Sequence, residues 1–340
     1  MHQGSQATFP SPQIPICFRS CPIATVGYIR RVELIGELAA LSTAFAWALT
    51  SIFFASAGRR IGSFHVNKIR LVMAVTLYAV VMTFRTGHPL PIGLNGEQIF
   101  WLASSGFAGL VFGDGCGFKA LVMIGPRLAT LIYATTPIMT TTIAWFMIDE
   151  KLAWIDLFGI AVTISGVSWV IAERRYKNLP NTAVAVDHPD SGSLAKGVLY
   201  GLGAALGQAS GLVLAKHAMF DFGAPVDPMS ASMVRMIAGM IIIWSISLFR
   251  GTVPATLKAI ANKRAMVMCA GGAIAGPFFG VWMSLYALKY IAAGIAATFN
   301  HTTPIMVIPL LWIVYRERTT IRGFLGAAIA VGGVALLVLS

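Results

Sequence analysis

The residue of this chain best placed to do chemistry is Asp114, the one acidic residue that falls well inside a long apolar run. An ionised carboxylate in such surroundings is costly, so Asp114 must pair with a cation, take up a proton or face water. The sequence offers three partners and does not choose among them: Lys119, Arg127 and His301. Asp114 and His301 are therefore candidates for holding and releasing a proton.

Two short segments of identical sequence supply further polar groups. The residues TTPIM occupy Thr135–Met139 and, 167 positions later, Thr302–Met306. A proline within a helix removes a hydrogen-bond donor and leaves the carbonyl four residues earlier without its helical partner. That carbonyl must be satisfied within the protein or face a wet cavity, and the threonine hydroxyls suit either role. The candidate cavity residues near these prolines are Tyr133, Thr135, Thr136, Pro137, Asn300, His301, Thr302, Thr303 and Pro304.

Trp47 and Gln208 complete the set of candidates. Each stands beside a stripe of residues spaced four apart, the spacing at which small residues let helices pack closely in lipid. The amide of Gln208 needs a hydrogen-bond partner in an apolar run, whereas the ring of Trp47 is of a kind that more often packs or lies at an interface. The two stripes are Ser42, Ala46 and Thr50, and Gly203, Gly207 and Gly211.

The elements that position these residues come in two copies. At the 167-residue offset of the TTPIM segments, Glu150 is matched by Glu317, Gly159 by Gly326 and Gly166 by Gly333. Self-similarity at a fixed offset indicates an internal duplication. Asp114 is matched by Val281 instead, so the duplicated fold does not itself require an acid at that place.

Composition makes each copy a block of membrane spans. Of the 340 residues, 57% are hydrophobic and 11% are charged, and the mean hydropathy is +0.76, which is too apolar for a water-soluble core. We therefore predict an all-α polytopic membrane protein with about ten transmembrane helices. The apolar windows fall near 35–57, 69–85, 99–118, 127–148, 154–172, 196–219, 230–249, 266–288, 294–315 and 321–339.

Charge and cysteine usage exclude other classes. The net charge of +12 does not indicate nucleic-acid binding, because the lysines and arginines stand in short loops beside helix ends, where such residues anchor topology. The four cysteines offer neither a disulfide framework nor a metal site. There is no GxxxxGK[ST] phosphate loop. We expect no cofactor, no metal and no nucleic acid, and as partners the lipid bilayer and a small-molecule substrate.

The organisation along the chain follows from these patterns. Residues 1–32 contain several prolines and predict a disordered tail, 33–173 a first repeat of five helices, 174–194 a charged linker, and 195–340 a second repeat of five helices. Because five is odd, the chain enters the second repeat from the opposite side of the membrane, so the repeats have inverted topology. Halves related in this way can exchange conformations, which predicts alternating access.

Taken in order, these motifs resemble the EamA repeats of the drug/metabolite transporter superfamily over about residues 35–339. The resemblance implies ten helices around a central substrate cavity and, as a common activity, export of small metabolites, often amino acids or their derivatives. The second acidic turn departs from the usual Gly-Glu-Arg-Leu at Tyr315 and Thr319. The residues that carry the resemblance are Arg70 and Arg235, Phe118–Leu121 and Tyr286–Leu288, Pro137 and Pro304, Asp149–Leu152 and Arg316–Arg318, and the glycines of the fifth spans.

Three classes of function are weighed on the sequence. A secondary transporter of small metabolites, with protons coupled through Asp114 or His301, fits the pattern best, and we expect no enzyme. A membrane-embedded enzyme would need acids, histidines or metal ligands converging from several spans, and a non-transporting scaffold would leave the intramembrane polar residues unexplained. We expect a multi-pass protein of a bacterial inner (plasma) membrane, and a homodimer is one assembly that the sequence allows.

Overall fold

The computed structural model describes residues 22–173, 191–303, 305–306 and 321–339, and every regular element in that part of the chain is a helix. The first half contains α1 (Pro22–Ile61), α2 (Ser63–Thr86), α3 (Gly96–Gly106), the π-helical segment π1 (Phe107–Gly113), α4 (Asp114–Tyr133), α5 (Thr136–Ile148) and α6 (Trp154–Glu173). The second half contains α7 (Ser191–Phe220), α8 (Pro228–Phe249), α9 (Val253–Ile260), α10 (Lys263–Ala273), the π-helical segment π2 (Ile274–Gly280), α11 (Val281–Ala287), α12 (Ala293–Asn300) and α13 (Ile321–Leu339).

Within the described residues, seven helices are long and apolar enough to cross a membrane. Two shorter apolar helices, Trp154–Trp169 and Gly323–Leu339, occupy the predicted fifth and tenth spans. The predicted ninth span, 294–315, extends beyond the described residues, so the count of ten spans stays a prediction. The seven are Glu33–Ile61, Phe64–Thr86, Gly96–Ala120, Leu131–Ile148, Leu194–Phe220, Pro228–Phe249 and Lys263–Ala287.

The first helix begins earlier than the sequence predicts. α1 starts at Pro22, so this helix includes residues 22–32, the last part of the predicted tail. Proline fits the first turn of a helix, where the backbone N–H groups have no helical partner, and no second proline interrupts α1. Residues 1–21 and most of the predicted linker, 174–190, lie outside the described part of the chain.

The predicted third and fourth spans are joined by helix rather than by coil. Ile124 of α4 packs against Gly197 of α7, and Ile132 packs against Gly201. The partners on α7 run backwards along that helix from Gly207, beside Gly113, to Gly197, beside Ile124, and then forwards to Gly201, beside Ile132, and Lys216, beside Glu150. The chain therefore changes direction relative to α7 between Ile124 and Ile132.

Helix caps set the start of the two helices that lead to the polar centre of the protein. The side chain of Asn95 accepts a hydrogen bond from the backbone N–H of Gln98 (2.8 Å), and the side-chain oxygen of Gln98 accepts one from the backbone N–H of Asn95 (3.1 Å). At α8, Asp227 accepts from the N–H groups of Met229 and Ser230. These contacts satisfy donors that a helix start leaves unpaired, and so they fix where α3 and α8 begin.

The pairing of α6 with α13 shows the relation between the halves. Gly159 packs against Gly333, and Gly166 packs against Gly326 and Ala330. Gly159 and Gly166 of α6 are the repeat counterparts of Gly326 and Gly333 of α13. Exchanging the two halves therefore turns the Gly159–Gly333 contact into the Gly326–Gly166 contact. The helices therefore run antiparallel about a pseudo-two-fold axis.

The first helix of the second half packs against the third span of the first half. α7 crosses the run from α3 through π1 to α4, with Gly207 against Gly113 and Gly211 against Gly109. A Cβ atom on Gly207 would lie only 2.6 Å from the Cα atom of Gly113. The missing side chains therefore let the two backbones touch.

The reciprocal crossing joins the first helix of the first half to the third span of the second. α1 packs on the run from α10 through π2 to α11, with Thr50 against Gly276 and Ala46 against Gly280. The hydroxyl of Thr50 donates to the carbonyl of Gly272 (3.3 Å). The first helix of each half thus packs against the third span of the other half, so neither half packs as an independent unit.

The glycine contacts of the α6–α13 pair give a prediction about stability. We expect Gly166→Ala to lower the melting temperature of the detergent-solubilised protein, because the new methyl group would collide with the backbone of Ala330 and lie 2.7 Å from the Gly326 carbonyl oxygen. Overpacking of this kind costs about 1–3 kcal/mol. The matched control is Gly332→Ala in the same pair, where an added Cβ meets nothing within 4 Å. Equal melting temperatures for the two variants would contradict the close contact.

Candidate functional site

The two π-helical segments occupy equivalent positions of the halves and expose backbone carbonyl groups. In π1 the Gly109 carbonyl accepts a hydrogen bond from the side-chain amide of Gln208 (3.0 Å). In π2 the hydroxyl of Tyr78 donates to the carbonyls of Pro277 (3.2 Å) and Phe278 (2.7 Å). Wide π turns interrupt the regular helical ladder and often mark functional sites. Here each one draws a polar side chain from another helix into the protein interior.

Asp114, the first residue after π1, lies at the centre of a group of polar residues that we call the central cluster. Its carboxylate forms an ion pair with Arg70 of α2 and accepts a hydrogen bond from the Gln208 amide (2.9 Å). The Nε atom of Arg70 in turn donates to Asn67 (2.7 Å). Two helices of the first half and one of the second therefore meet at this carboxylate. The central cluster consists of Asn67, Arg70, Asp114, Gln208 and Arg235.

The partner of Asp114 is Arg70, which is none of the three considered from the sequence. Lys119 is exposed and its ammonium lies 3.4 Å from the hydroxyl of Tyr200. His301 packs against the ring of Tyr133, and the side chain of Arg127 lies outside the described ones. Arg70 could have been considered, because it also falls inside an apolar window; the sequence did not show that α2 and α4 face each other there.

The ion pair is shielded from solvent. The Arg70 side chain is 5% exposed and that of Asp114 is 19% exposed. Both charges need a partner at membrane depth, and removing either would leave the other buried without compensation. We therefore expect the two charges to be strongly coupled.

Arg235, the repeat counterpart of Arg70, reaches the same region from α8. It is only 6% exposed. Its Nη2 atom lies 3.6 Å from the point that a Cβ atom on Gly109 would occupy, and the Oε1 atom of Gln208 lies 3.7 Å from the same point. Arg235 and Asp114 are within range of each other's charge. The two arginines that carried the family resemblance thus both belong to the central cluster.

Trp47 takes the position in α1 that Gln208 takes in α7. Its Nε1 atom lies 3.5 Å from the Cβ position of Gly280, at the second crossing. The structure therefore brings Gln208 into the central cluster, while Trp47 lies beside π2 and packs in the same hydrophobic group as the aromatic rings of Tyr78 and Trp282.

The threonines of the TTPIM segments donate hydrogen bonds to nearby backbone carbonyl groups. Thr135 and Thr136 donate to the carbonyls of Ile132 (2.7 Å) and Tyr133 (2.6 Å). Thr302 and Thr303 donate to the carbonyls of Phe299 (2.7 Å) and Asn300 (2.7 Å). Each hydroxyl thus bonds the carbonyl three residues earlier. Pro137 is buried in the first turn of α5, and Pro304 lies outside the described residues.

Tyr133, Asn300 and His301 form a second polar group next to the central cluster. The rings of Tyr133 and His301 are 5.0 Å apart, centroid to centroid, at 61°, and Tyr133 also lies within electrostatic range of Asp114. The Asn300 amide donates to Ser284 (2.9 Å), while its Oδ1 atom is buried without a hydrogen-bond partner. Tyr133 of the first half therefore contacts His301 of the second half. Both were predicted as polar residues beside the two prolines, at positions where the repeats differ.

A buried ion pair that the sequence did not single out holds α12 in place. Glu150 pairs with Lys216 of α7 (3.3 Å), and its Oε1 atom also accepts from the backbone N–H of Ala293 (2.8 Å). A carboxylate is favourable at a helix N-terminus, where unpaired N–H groups point outwards. The sequence feature that could have revealed this ion pair is Lys216, a lysine inside an apolar window. This pair positions α12, at whose end Asn300 and His301 lie.

Among the described side chains, no group of three or more His, Cys, Asp or Glu is placed to hold a metal ion. The central cluster brings together two guanidinium groups, one carboxylate and two side-chain amides.

Comparison with known proteins agrees with this fold. The model of the EamA-like transporter family matches residues 34–172 and again residues 195–339. A solved crystal structure superposes on this chain with a TM-score of 0.70 and 14% sequence identity, covering 89% of this chain and 96% of that chain, a likeness that shows the fold alone. No curated protein matches this chain.

The fold and the two matched repeats define an integral, multi-pass membrane protein of the drug/metabolite transporter class. The chain belongs to the EamA-like transporter family. Members of this family are generally transporters of small molecules rather than enzymes.

The ion pair of the central cluster gives a second prediction. We expect Arg70→Gln to destabilise the folded protein by about 3–5 kcal/mol, because it leaves the Asp114 carboxylate buried without its partner. The double variant Arg70→Gln, Asp114→Asn should recover much of this loss, since no uncompensated charge remains. Thermal unfolding in detergent, arranged as a double-mutant cycle, measures the coupling. Purely additive effects would show that the pair is not energetically coupled.

Proposed function

We propose that this protein is a secondary transporter that moves a small metabolite across the membrane by alternating access, with Asp114 as the proton-coupling residue. The observation that carries the proposal is the central cluster, a buried carboxylate held by Arg70 from one half and by Gln208 from the other. A change in the relative position of the halves must change the surroundings of this carboxylate.

The packing of the helices supports alternating access. The antiparallel α6–α13 pair and the two reciprocal glycine crossings relate the halves by a pseudo-two-fold axis. Halves arranged in this way can exchange conformations around a fixed site at mid-membrane. The site of exchange would be the region where α7 crosses π1, because there the backbones touch and the polar side chains converge.

The proton is proposed to compete with Arg70 for Asp114. When the carboxylate is ionised, Arg70 and Gln208 hold it. When it is protonated, the attraction of the guanidinium falls and the contact between α2 and α4 loosens. Tyr133 and His301, whose rings meet edge to face beside this region, would then contact substrate rather than carry the proton.

The same proposal includes export as the direction of transport, a bacterial inner-membrane location and the domain boundaries 33–173 and 195–340. They are supported by the kinship with the EamA-like transporters and by an outer surface with large exposed apolar side chains, such as Phe84, Phe146 and Trp154. A homodimer is compatible with such a surface.

The coupling role of Asp114 is tested with Asp114→Asn, which keeps the shape of the side chain and removes its charge. We expect the variant to insert and fold, to exchange substrate at equal pH on both sides, and to lose accumulation driven by a pH gradient. The substrate is first found by comparing the metabolites that overexpressing and control cells release. Uptake of that metabolite into proteoliposomes, with and without an imposed gradient, is then measured.

The matched control is Asp149→Asn, which removes a carboxylate from an exposed turn. It should retain gradient-driven uptake at the wild-type level. Full gradient-driven uptake by Asp114→Asn would eliminate the coupling role and leave the aspartate as a structural partner of Arg70. Loss of counterflow as well would show instead that Asp114 is needed for binding or folding.

A further inference from the structure

One end of the helix bundle, where α1 ends, α10 begins and α9 links α8 to α10, carries a group of exposed basic side chains. Phe54 of α1 packs against Gly272 of α10, and Thr50 packs against Gly276 of π2. The two helices are therefore antiparallel, and the end of α1 lies level with the start of α10. We call this group the basic face; it consists of Arg59, Arg60, Arg250, Lys258, Lys263 and Arg264, all of them exposed.

The short helix α9 adds apolar side chains to the same end. Its eight residues rise only about 12 Å, which is too little to cross an apolar layer of about 30 Å. The buried hydroxyl of Thr256 forms a hydrogen bond with the Nδ1 atom of His65, near the start of α2 (2.9 Å). Leu257 and Ile260, three residues apart on one side of α9, are exposed, and Lys258 is exposed about 100° further round the helix than Leu257. Helices that lie in a membrane interface combine apolar and basic sides in this way.

No nearby acid along the chain neutralises the basic face. All six residues lie in the segments 58–70 and 247–268, neither of which contains an aspartate or a glutamate. None of the six forms an ion pair with another described residue. Behind the face, the buried ammonium of Lys68 is held by the hydroxyls of Ser247 (2.8 Å) and Thr252 (3.3 Å). The positive charges of this end therefore act together on whatever lies in front of them.

The corresponding loop of the first half shows that the duplication does not itself require such a face. Residues 87–95 join α2 to α3 at the opposite end of the bundle, as α9 and its flanking residues join α8 to α10 here. That loop contains no lysine or arginine, and Arg85 before it pairs with Asp227 (3.4 Å). At the same end, Lys151 pairs with Asp149 (3.5 Å). That end thus mixes charges of both signs, whereas the basic face carries one sign only.

We propose that the basic face binds the phosphate groups of anionic phospholipids, with Leu257 and Ile260 of α9 among the acyl chains below them. Phospholipid headgroups lie at the level where membrane-spanning helices end, and long basic side chains reach them while their stems stay against the apolar layer. A free anion would neutralise the charges but would leave the two exposed apolar side chains without a partner. The inference does not depend on the transport proposal, and it sets this surface apart from other lipid contacts by the charge of the headgroup.

Binding is tested on the purified full-length protein in a neutral detergent, which separates lipid binding from membrane insertion. The melting temperature is measured during titration with phosphatidylglycerol, with phosphatidylcholine of the same acyl chains, and with inorganic phosphate. We expect phosphatidylglycerol to bind at least about 10-fold more tightly than phosphatidylcholine, since each basic residue near an anionic surface contributes about fivefold. Inorganic phosphate should stabilise the protein less than phosphatidylglycerol. The preference should fall as NaCl is added, because salt screens exposed charges.

Two fourfold variants locate the surface. The basic-face variant, which combines Arg59→Gln, Arg60→Gln, Lys263→Gln and Arg264→Gln, should lose the preference for phosphatidylglycerol by about 10-fold or more. The matched control removes four exposed basic residues from the opposite end and should keep the wild-type preference; it combines Arg30→Gln, Arg31→Gln, Lys151→Gln and Lys289→Gln. Lys258→Gln alone should weaken the preference by about two- to fivefold, which keeps the test decisive if the basic-face variant does not fold.

The proposal is overturned if the two lipids stabilise the wild type equally, or if inorganic phosphate stabilises it as much as phosphatidylglycerol does. It is also overturned if the basic-face variant and its control lose the preference equally, because net charge alone would then explain the binding. An unchanged preference in the basic-face variant, or in Lys258→Gln where only that variant folds, would contradict it too. These residues would then be topology anchors without a bound lipid.

Discussion

The close approach of helix backbones at glycine residues is the contact on which the rest of this structure depends. In a membrane, helices gain little from hiding apolar surface from lipid, so their association rests on tight packing and hydrogen bonds. At the crossing of α7 with π1, Gly207 lies against Gly113 and Gly211 against Gly109. Only because the backbones touch there does the side chain of Gln208 reach both the carbonyl of Gly109 and the carboxylate of Asp114.

The central cluster shows how an asymmetric site can be built on a symmetric scaffold. The π segments, the arginines of the second spans and the reciprocal crossings all occur twice, whereas Asp114 and Gln208 occur once, opposite Val281 and Trp47. The apolar environment makes every unpaired charge costly. One aspartate is therefore enough to make the two arginines unequal: Arg70 is paired with Asp114, whereas the Nε atom of Arg235 is buried without a hydrogen-bond partner among the described residues.

Part of the candidate site could be predicted from the sequence, but the pairing of its charged residues could not. Asp114 and Gln208 stand out because polar groups in apolar runs require partners, and both lie in the central cluster. The threonines of the TTPIM segments were weighed equally as kink repair and as cavity lining, and their hydroxyls bond the carbonyls three residues earlier. Arg70 as partner of Asp114, and Lys216 as partner of Glu150, were missed because the partners are 44 and 66 residues apart along the chain.

The sequence by itself determined the membrane class, the duplication and the family, because hydropathy, repeat offset and glycine spacing are properties of the chain read in order. Tertiary structure alone decided which helix faces which, and so which charges meet. A transmembrane helix can be rotated about its axis with little change in its lipid contacts, and only packing against neighbours selects one rotation. That selection places Arg70 on Asp114 and leaves Arg235 facing Gly109.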